Sequence, residues 1–132
     1  MSTHVLDTCA ILDLAAGRWT IPTARNELVG SRDPVVLSVS VWEIARKLRV
    51  GKLKLPCPQN GVLRFVLEVC ERHRLRLVPL TAEVCEQAEL LPPRHEDPFD
   101  RMILALAIAD AAPVFTVDPR FRDYAADIRF YR

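Results

Sequence analysis

Short apolar runs alternate along the chain with longer segments of helical spacing, and two of the runs, the first and the one at 113–117, end on or just before an acid. Thr3 to Asp7 predicts a buried strand closing on Asp7. Thr8 to Ala16 follows with Ile11, Leu12 and Ala15 on one helical face, and Gly17 closes it. Asp7 or Thr8 would cap that helix, and Asp13 is expected on its solvated face. A second helix is predicted from Pro22 to about Val29, with a turn through Ser31–Pro34. The β-branched run Val35–Val39 reads as a buried strand. Ser40 would cap a helix from Val41 to Val50, placing Glu43 at the capping-box position three residues on, and Gly51 ends it.

Lys52 to Asn60, with Pro56 and Pro58, reads as a loop or extended arm. Gly61 to His73 predicts a helix with Leu63, Val66, Leu67 and Cys70 inward, and Leu75 to Leu80 a strand. Thr81 caps a helix to about Leu91, stopped by Pro92-Pro93. At Glu96-Asp97-Pro98-Phe99-Asp100-Arg101, acids stand directly before the apolar run Met102–Ala109. Asp97 fits an N-cap, Pro98 the first helical position, and Asp100 falls three residues after the cap. The helix is expected to reach about Ala111, followed by a strand over Pro113–Val117, then Asp118, a turn through Pro119-Arg120-Phe121, and an edge strand near Ile128 to Tyr131. Strands alternating with helices predict an α/β domain, 1–132 as one unit, with a central, mainly parallel twisted sheet of four to five strands.

That alternation gives the acids a common address. In an open parallel sheet, ligands bind beyond the carboxyl ends of the strands. Asp7 and Asp118 directly follow strands, Glu43 opens the helix after another, and Asp97 and Asp100 start the helix feeding the strand at 113–117. All five are expected at one edge. Caps have no need to share an edge, whereas carboxylates in one crevice repel one another until protons or divalent cations relieve them. Oxygen-only ligands suit the hard ions Mg²⁺ or Mn²⁺, and such a cluster can align water and a phosphodiester for in-line displacement.

Composition changes the picture little. With 50% hydrophobic and 27% charged residues the chain is ordinary and globular. Cys9, Cys57, Cys70 and Cys85 have no C-x-x-C spacing, so a zinc site and disulfides are not expected. Acids interrupt the first apolar stretch, and no apolar run approaches the ~20 residues that span a bilayer; a cytoplasmic protein without a membrane partner is expected. The net charge of +1 conceals segregation, because setting aside the acids expected at that edge leaves a basic remainder. Arg46, Lys47, Arg49, Lys52 and Lys54 form one basic run, and Arg120 and Arg122 another beside Asp118. Of these, Arg46, Lys47, Lys52 and Arg120 are the candidates for phosphate contacts, against a plain solvated helix face. Arg101, beside Asp100, is a candidate for pairing with an acid in place of a phosphate. His4, His73 and His95 are scattered and are assigned no catalytic part.

Four blocks, Val5-Leu-Asp7-Thr8, Ser40-Val-Trp-Glu43-Ile-Ala-Arg-Lys-Leu-Arg-Val-Gly-Lys-Leu53, Asp97-Pro-Phe-Asp100-Arg-Met-Ile103 and Thr116-Val-Asp118-Pro-Arg-Phe121, resemble in this order the signature blocks of PIN-domain ribonucleases. The resemblance extends to the VapC toxins of bacterial VapBC toxin–antitoxin pairs and covers essentially the whole chain. It implies a PIN-like three-layer α/β/α fold and a Mg²⁺- or Mn²⁺-dependent endoribonuclease leaving 5′-phosphate and 3′-hydroxyl ends. It maps the catalytic, metal-holding acids onto Asp7, Glu43, Asp100 and Asp118, with Asp97 in an outer shell and Thr116 as a supporting hydroxyl. It also implies a VapB-type antitoxin, a homodimer and a toxin–antitoxin hetero-oligomer that meets DNA through the antitoxin. Trp19, Ile21, Trp42 and Leu53 are the apolar candidates for an antitoxin groove. Two rivals remain. An aspartate-nucleophile phosphatase would share the strand-terminal Asp7-Thr8, but Cys9 stands where its second Asp belongs; a catalytically degenerate PIN fold would bind without cleaving.

Overall fold

The computed structural model describes residues 2–132. Five strands, β1 (His4–Leu6), β2 (Pro34–Leu37), β3 (Arg76–Val78), β4 (Val114–Thr116) and β5 (Ile128–Phe130), form one sheet in the order β3-β2-β1-β4-β5. Every neighbouring pair is parallel, with Val5 opposite Val35 on one side and Val114 on the other. The expected mainly parallel sheet is therefore wholly parallel. Helices α1 (Thr8–Ala15), α2 (Pro22–Gly30), α3 (Val39–Arg49), α4 (Val62–His73), α5 (Ala82–Leu90) and α6 (Pro98–Ala109) fill the connections.

Strand alternation divides the core in two. Val5, Val35, Leu37 and Val114 pack with α5, α6 and the 3₁₀ turn Pro119–Asp123. Leu6, Val36 and Phe115 face the opposite layer, built from α1 to α4. Three layers result, α/β/α. The central strand β1 connects toward β2 on one side and pairs with β4 on the other, so the chain changes direction across the sheet between β1 and β4. That switch point lies at the carboxyl edge, where open parallel sheets bind their ligands.

Several local expectations fail for definite reasons. The α3 helix starts at Val39, not after Ser40, because Ser38 is already helical (φ −57°, ψ −23°). The Ser38 hydroxyl accepts from Leu80 N and so ties α3 to the end of β3, while Ser40 is buried with its Oγ 2.9 Å from Thr8 Oγ1. Glu43 consequently sits in the second turn, with no capping-box role. In α4 the buried stripe is Val62, Val66, Val69 and Cys70, and Leu63 and Leu67 lie 52% and 47% exposed. Both stripes are apolar, and packing against α1 and α3 selects the one turned by a single residue. Asp13 is buried, not solvated: it accepts from Tyr131 Oη at 2.7 Å and faces Arg18 and Arg132. Trp19 is also mostly interior, stacked on Tyr131 at 4.6 Å with its indole N–H donating to Ala10 O, and its remaining edge helps to line a surface cavity with Leu14, Leu28, Val29 and His73. Trp42, 61% exposed, is open as expected.

Candidate metal centre

The acids at the carboxyl edge come from four elements. Asp7 ends β1 and caps α1, its Oδ1 accepting from Ala10 N at 2.8 Å. The side chain is buried, and the Thr116 hydroxyl at the end of β4 also supports it. Thr116 Oγ1 accepts in turn from Asp118 N at 3.0 Å, so one hydroxyl ties the ends of the two central strands together. Burial, reinforced by the charges of Asp100 and Glu43, pushes the Asp7 carboxyl up to about 7.

Glu43 reaches this edge from the second turn of α3. Its Oε2 lies 2.9 Å from Lys47 Nζ, one helical turn on. Its Oε1 is buried and has no hydrogen-bond partner. A buried carboxylate oxygen left unpaired costs on the order of 1–3 kcal/mol, so an orphan here marks a place where a cation or water is wanted.

The first turn of α6 supplies two acids with separate duties. Asp97 caps the helix, its Oδ1 accepting from Phe99 N at 2.9 Å and Asp100 N at 3.4 Å. Asp100 does not return a bond to the cap, as a full capping box would require. Its Oδ2 accepts instead from His95 Nε2 at 2.7 Å. Burial first, then the charges of Asp97 and Glu43, raises Asp100 to about 6. Asp118 behaves differently. It follows β4, caps the 3₁₀ turn through Arg120 N, and its two oxygens receive the Arg120 guanidinium at 2.7–3.1 Å. That pairing holds its carboxyl below the ordinary range.

His95 is the residue that sequence reasoning passed over. It is 4% exposed, tilted against Phe121, and its Nε2 stands 2.7 Å from Asp100 and 3.7 Å from Asp118. Ligand atoms of His95, Asp100 and Asp118 all lie within 4.8 Å of one another, close enough to share an ion. The available signal was position: His95 is the last histidine before the acid-bearing start of a buried helix. Arg101 pairs with no acid among the described residues. Its guanidinium donates to the carbonyls of Ala88, Glu89, Leu91, Pro92 and His95, locking the end of α5 and the following loop onto α6. Among the basic candidates, Arg46 and Lys52 are exposed, Lys47 is held by Glu43 and Arg120 by Asp118.

The donor set consists of carboxylate oxygens with one imidazole at the rim, and it includes an orphaned buried oxygen. These residues fit a hard divalent cation. The charges of Asp100 and Glu43 act on Asp7, and that of Glu43 on Asp100, but among the described residues the ligand atoms that lie within 4.8 Å of one another are those of His95, Asp100 and Asp118, with Asp7 and Glu43 outside that group. No histidine partners Cys9 beside them among the described residues, and its thiol is pushed up to about 11 by desolvation of its sulfur and by the charge of Asp7.

Known structures share this frame. DNA-bound VapBC from Salmonella typhimurium contains a chain 18% identical, superposing with a TM-score of 0.70 over 100% of both chains. VapBC2 from Rickettsia felis bound to a promoter DNA fragment gives 16% identity and a TM-score of 0.70 over 98% of this chain and 99% of that one. FitAcB from Neisseria gonorrhoeae gives 16% and 0.65 over 97% of each. At such identities the likeness is one of fold. No curated protein sequence matches the chain. A family model does, over residues 4–127, and its description is the PIN domain. With a wholly parallel five-stranded sheet and acids gathered at its carboxyl edge, the chain belongs to the PIN-domain family.

Proposed function

We propose that this protein is the toxin of a type II toxin–antitoxin pair, a Mg²⁺- or Mn²⁺-dependent endoribonuclease restrained by a cognate VapB-type antitoxin in the cytoplasm. One observation supports the chemistry above others: the buried, unpartnered Glu43 Oε1 at an oxygen-rich sheet edge shared with Asp7 and Asp100. Asp7, Glu43 and Asp100 hold the ion, and Asp118 joins them from beyond β4 or acts through water. When bound, a divalent ion there supplies Lewis-acid activation of water and charge stabilisation at the phosphodiester.

The chain's own groups do the rest. Thr116 fixes the Asp7 carboxylate and the backbone at Asp118 together, and so sets the spacing of the two strand-terminal acids. Asp97 holds the first turn of α6 and leaves Asp100 free for the centre. His95 holds one Asp100 oxygen, which leaves the other for a ligand. The exposed Arg46 and Lys52 offer phosphate contacts on the α3 side. The partner reading draws on the similar complexes, in which VapBC chains are bound to DNA; here DNA is met through the antitoxin, with a homodimer as the toxin unit. Trp42, set edge-on to Phe99 at 5.0 Å, is the apolar contact offered beside the acids.

Purified protein incubated with RNA and Mg²⁺ or Mn²⁺ is expected to produce 5′-phosphorylated fragments, and EDTA to abolish them. Asp7→Asn and Asp100→Asn should each lower the rate at least a hundredfold with the fold retained. Wild-type cleavage by either variant, or cleavage that persists in EDTA, would sink the assignment.

A further inference from the structure

Lys47 follows Glu43 by one turn of α3, yet their pairing differs from an ordinary surface contact. The Glu43 side chain is 6% exposed and that of Lys47 36%, with 2.9 Å between Nζ and Oε2. The ammonium also feels Asp100 from α6 and the Cys9 thiol from α1, so it stands at the edge of the acid cluster and not over open solvent. One ammonium on one oxygen leaves the other oxygen, Oε1, buried and without a partner. Asp118 carries a fixed cation in the same way, from Arg120 two residues on. Asp7 and Asp100 carry neither a lysine nor an arginine: backbone Ala10 N and Thr116 support the first, and the His95 imidazole, an ion-pair partner when protonated, the second. Two of the four acids are thus balanced by cations built into the chain. The other two have only protons or an added cation to relieve their mutual repulsion.

We infer that Lys47 is a positioning residue of the acid cluster. By holding Glu43 Oε2 it presents Oε1 alone to a divalent ion, and its fixed charge, with that of Arg120, limits the resting site to one such ion. The inference rests on the reading that these acids bind a divalent cation. A fixed ammonium beside such a cation repels it, and does so strongly where water is excluded. Removing the ammonium while keeping an apolar stem of similar length therefore leaves the site more attractive to cations.

The test is titration calorimetry with Mn²⁺ on the full chain without RNA, alongside Mn²⁺-induced thermal shifts. Wild type is expected to bind one Mn²⁺ per chain. Lys47→Met should gain at least fivefold in Mn²⁺ affinity or take up a second ion, and should melt lower than wild type without Mn²⁺ but show the larger shift with it. Lys47→Arg, which keeps the charge, and Arg49→Met, which removes an exposed charge from the same helix, should both stay within twofold of wild type. Unchanged or weaker binding by folded Lys47→Met overturns the inference, as does an equal gain in Arg49→Met. Two ions in the wild type overturn it even if Lys47→Met fails to fold. No Mn²⁺ binding by wild type defeats the metal-site reading itself, and this inference with it.

Discussion

Asp7 illustrates how one side chain serves structure and chemistry at once. Its Oδ1 satisfies a helix N–H that would otherwise be orphaned, and its burial beside Asp100 and Glu43 makes the charged form costly. In the folded chain Asp7 is raised from 3.8 to about 7 and Asp100 from 3.8 to about 6. Between about pH 4 and pH 7 the native state therefore holds more protons than the unfolded chain, and stability falls as pH rises through that window. Asp118 and Asp33 are shifted the other way, and their effect lies below the ordinary carboxylate value of 3.8. At about 1.4 kcal/mol per pKa unit, ionised Asp7 alone costs on the order of 4 kcal/mol. Without metal, the melting temperature should fall by several degrees from pH 5 to pH 8, and Asp7→Asn should flatten that slope and melt higher than wild type at pH 8. Mn²⁺ affinity should run oppositely, rising with pH as protons leave the same oxygens. A metal-free melting temperature that rises across this range would contradict the burial of these acids.

At the scale of elements, the first turn of α6 divides its work between neighbours. Asp97 and Pro98 occupy the cap and first helical positions that the sequence indicated, because both roles depend only on local backbone geometry. What the sequence could not reveal is where Asp100 turns, since His95 reaches it from a loop whose path is fixed by Arg101. That path is a long-range matter: Arg101 gathers carbonyls from the end of α5 and from the loop, and no spacing rule encodes such a clamp. The register of α3 was hidden for a similar reason. Ser38 and Ser40 are equally good caps by composition, and the tertiary bond from Leu80 N to the Ser38 hydroxyl decides between them. Substitutions should separate these duties. Asp97→Ala removes a cap and should cost about 1 kcal/mol while leaving Mn²⁺ affinity within about threefold. Arg101→Met leaves several carbonyls without donors and should cost about 3 kcal/mol or more, and by freeing the loop that carries His95 it should weaken Mn²⁺ binding as well. Chemical denaturation paired with Mn²⁺ titration measures both. Equal losses of metal affinity in the two variants would mean that Asp97 acts at the centre, not as a cap.

Over the whole molecule, the alternation of apolar runs was enough to indicate an α/β class and a shared edge for the acids, because strand period and βα connectivity are local and topological rules. It did not indicate strand order or which helices cover which face; those depend on how the layers close. The closure is visible where the chain returns to its beginning. After edge strand β5, Tyr131 runs under α1, its ring stacked on Trp19 and its backbone oxygen accepting from Thr20 N and Ile21 N. Its hydroxyl donates to the buried Asp13 at 2.7 Å, and burial together with that bond keeps the phenol protonated. Asp13 looks like a solvated helix residue in sequence because its partner lies 118 positions away. Tyr131→Phe keeps the stacking and removes only the hydroxyl, leaving Asp13 to Arg18 at 3.8 Å and Arg132 at 3.4 Å. The expected loss is about 1–3 kcal/mol, read as a lower denaturation midpoint with an unchanged slope, because only one contact and not the extent of folding is altered. Asp13→Asn in the Tyr131→Phe background should recover part of that loss, since a neutral amide is less costly to bury than a carboxylate short of one donor. Mn²⁺ affinity should stay near wild type in both, because α1 meets the acid cluster at its other end, where Asp7 caps it. A twofold or larger fall in affinity would instead mean that the chain's closing residues help to hold the centre in shape.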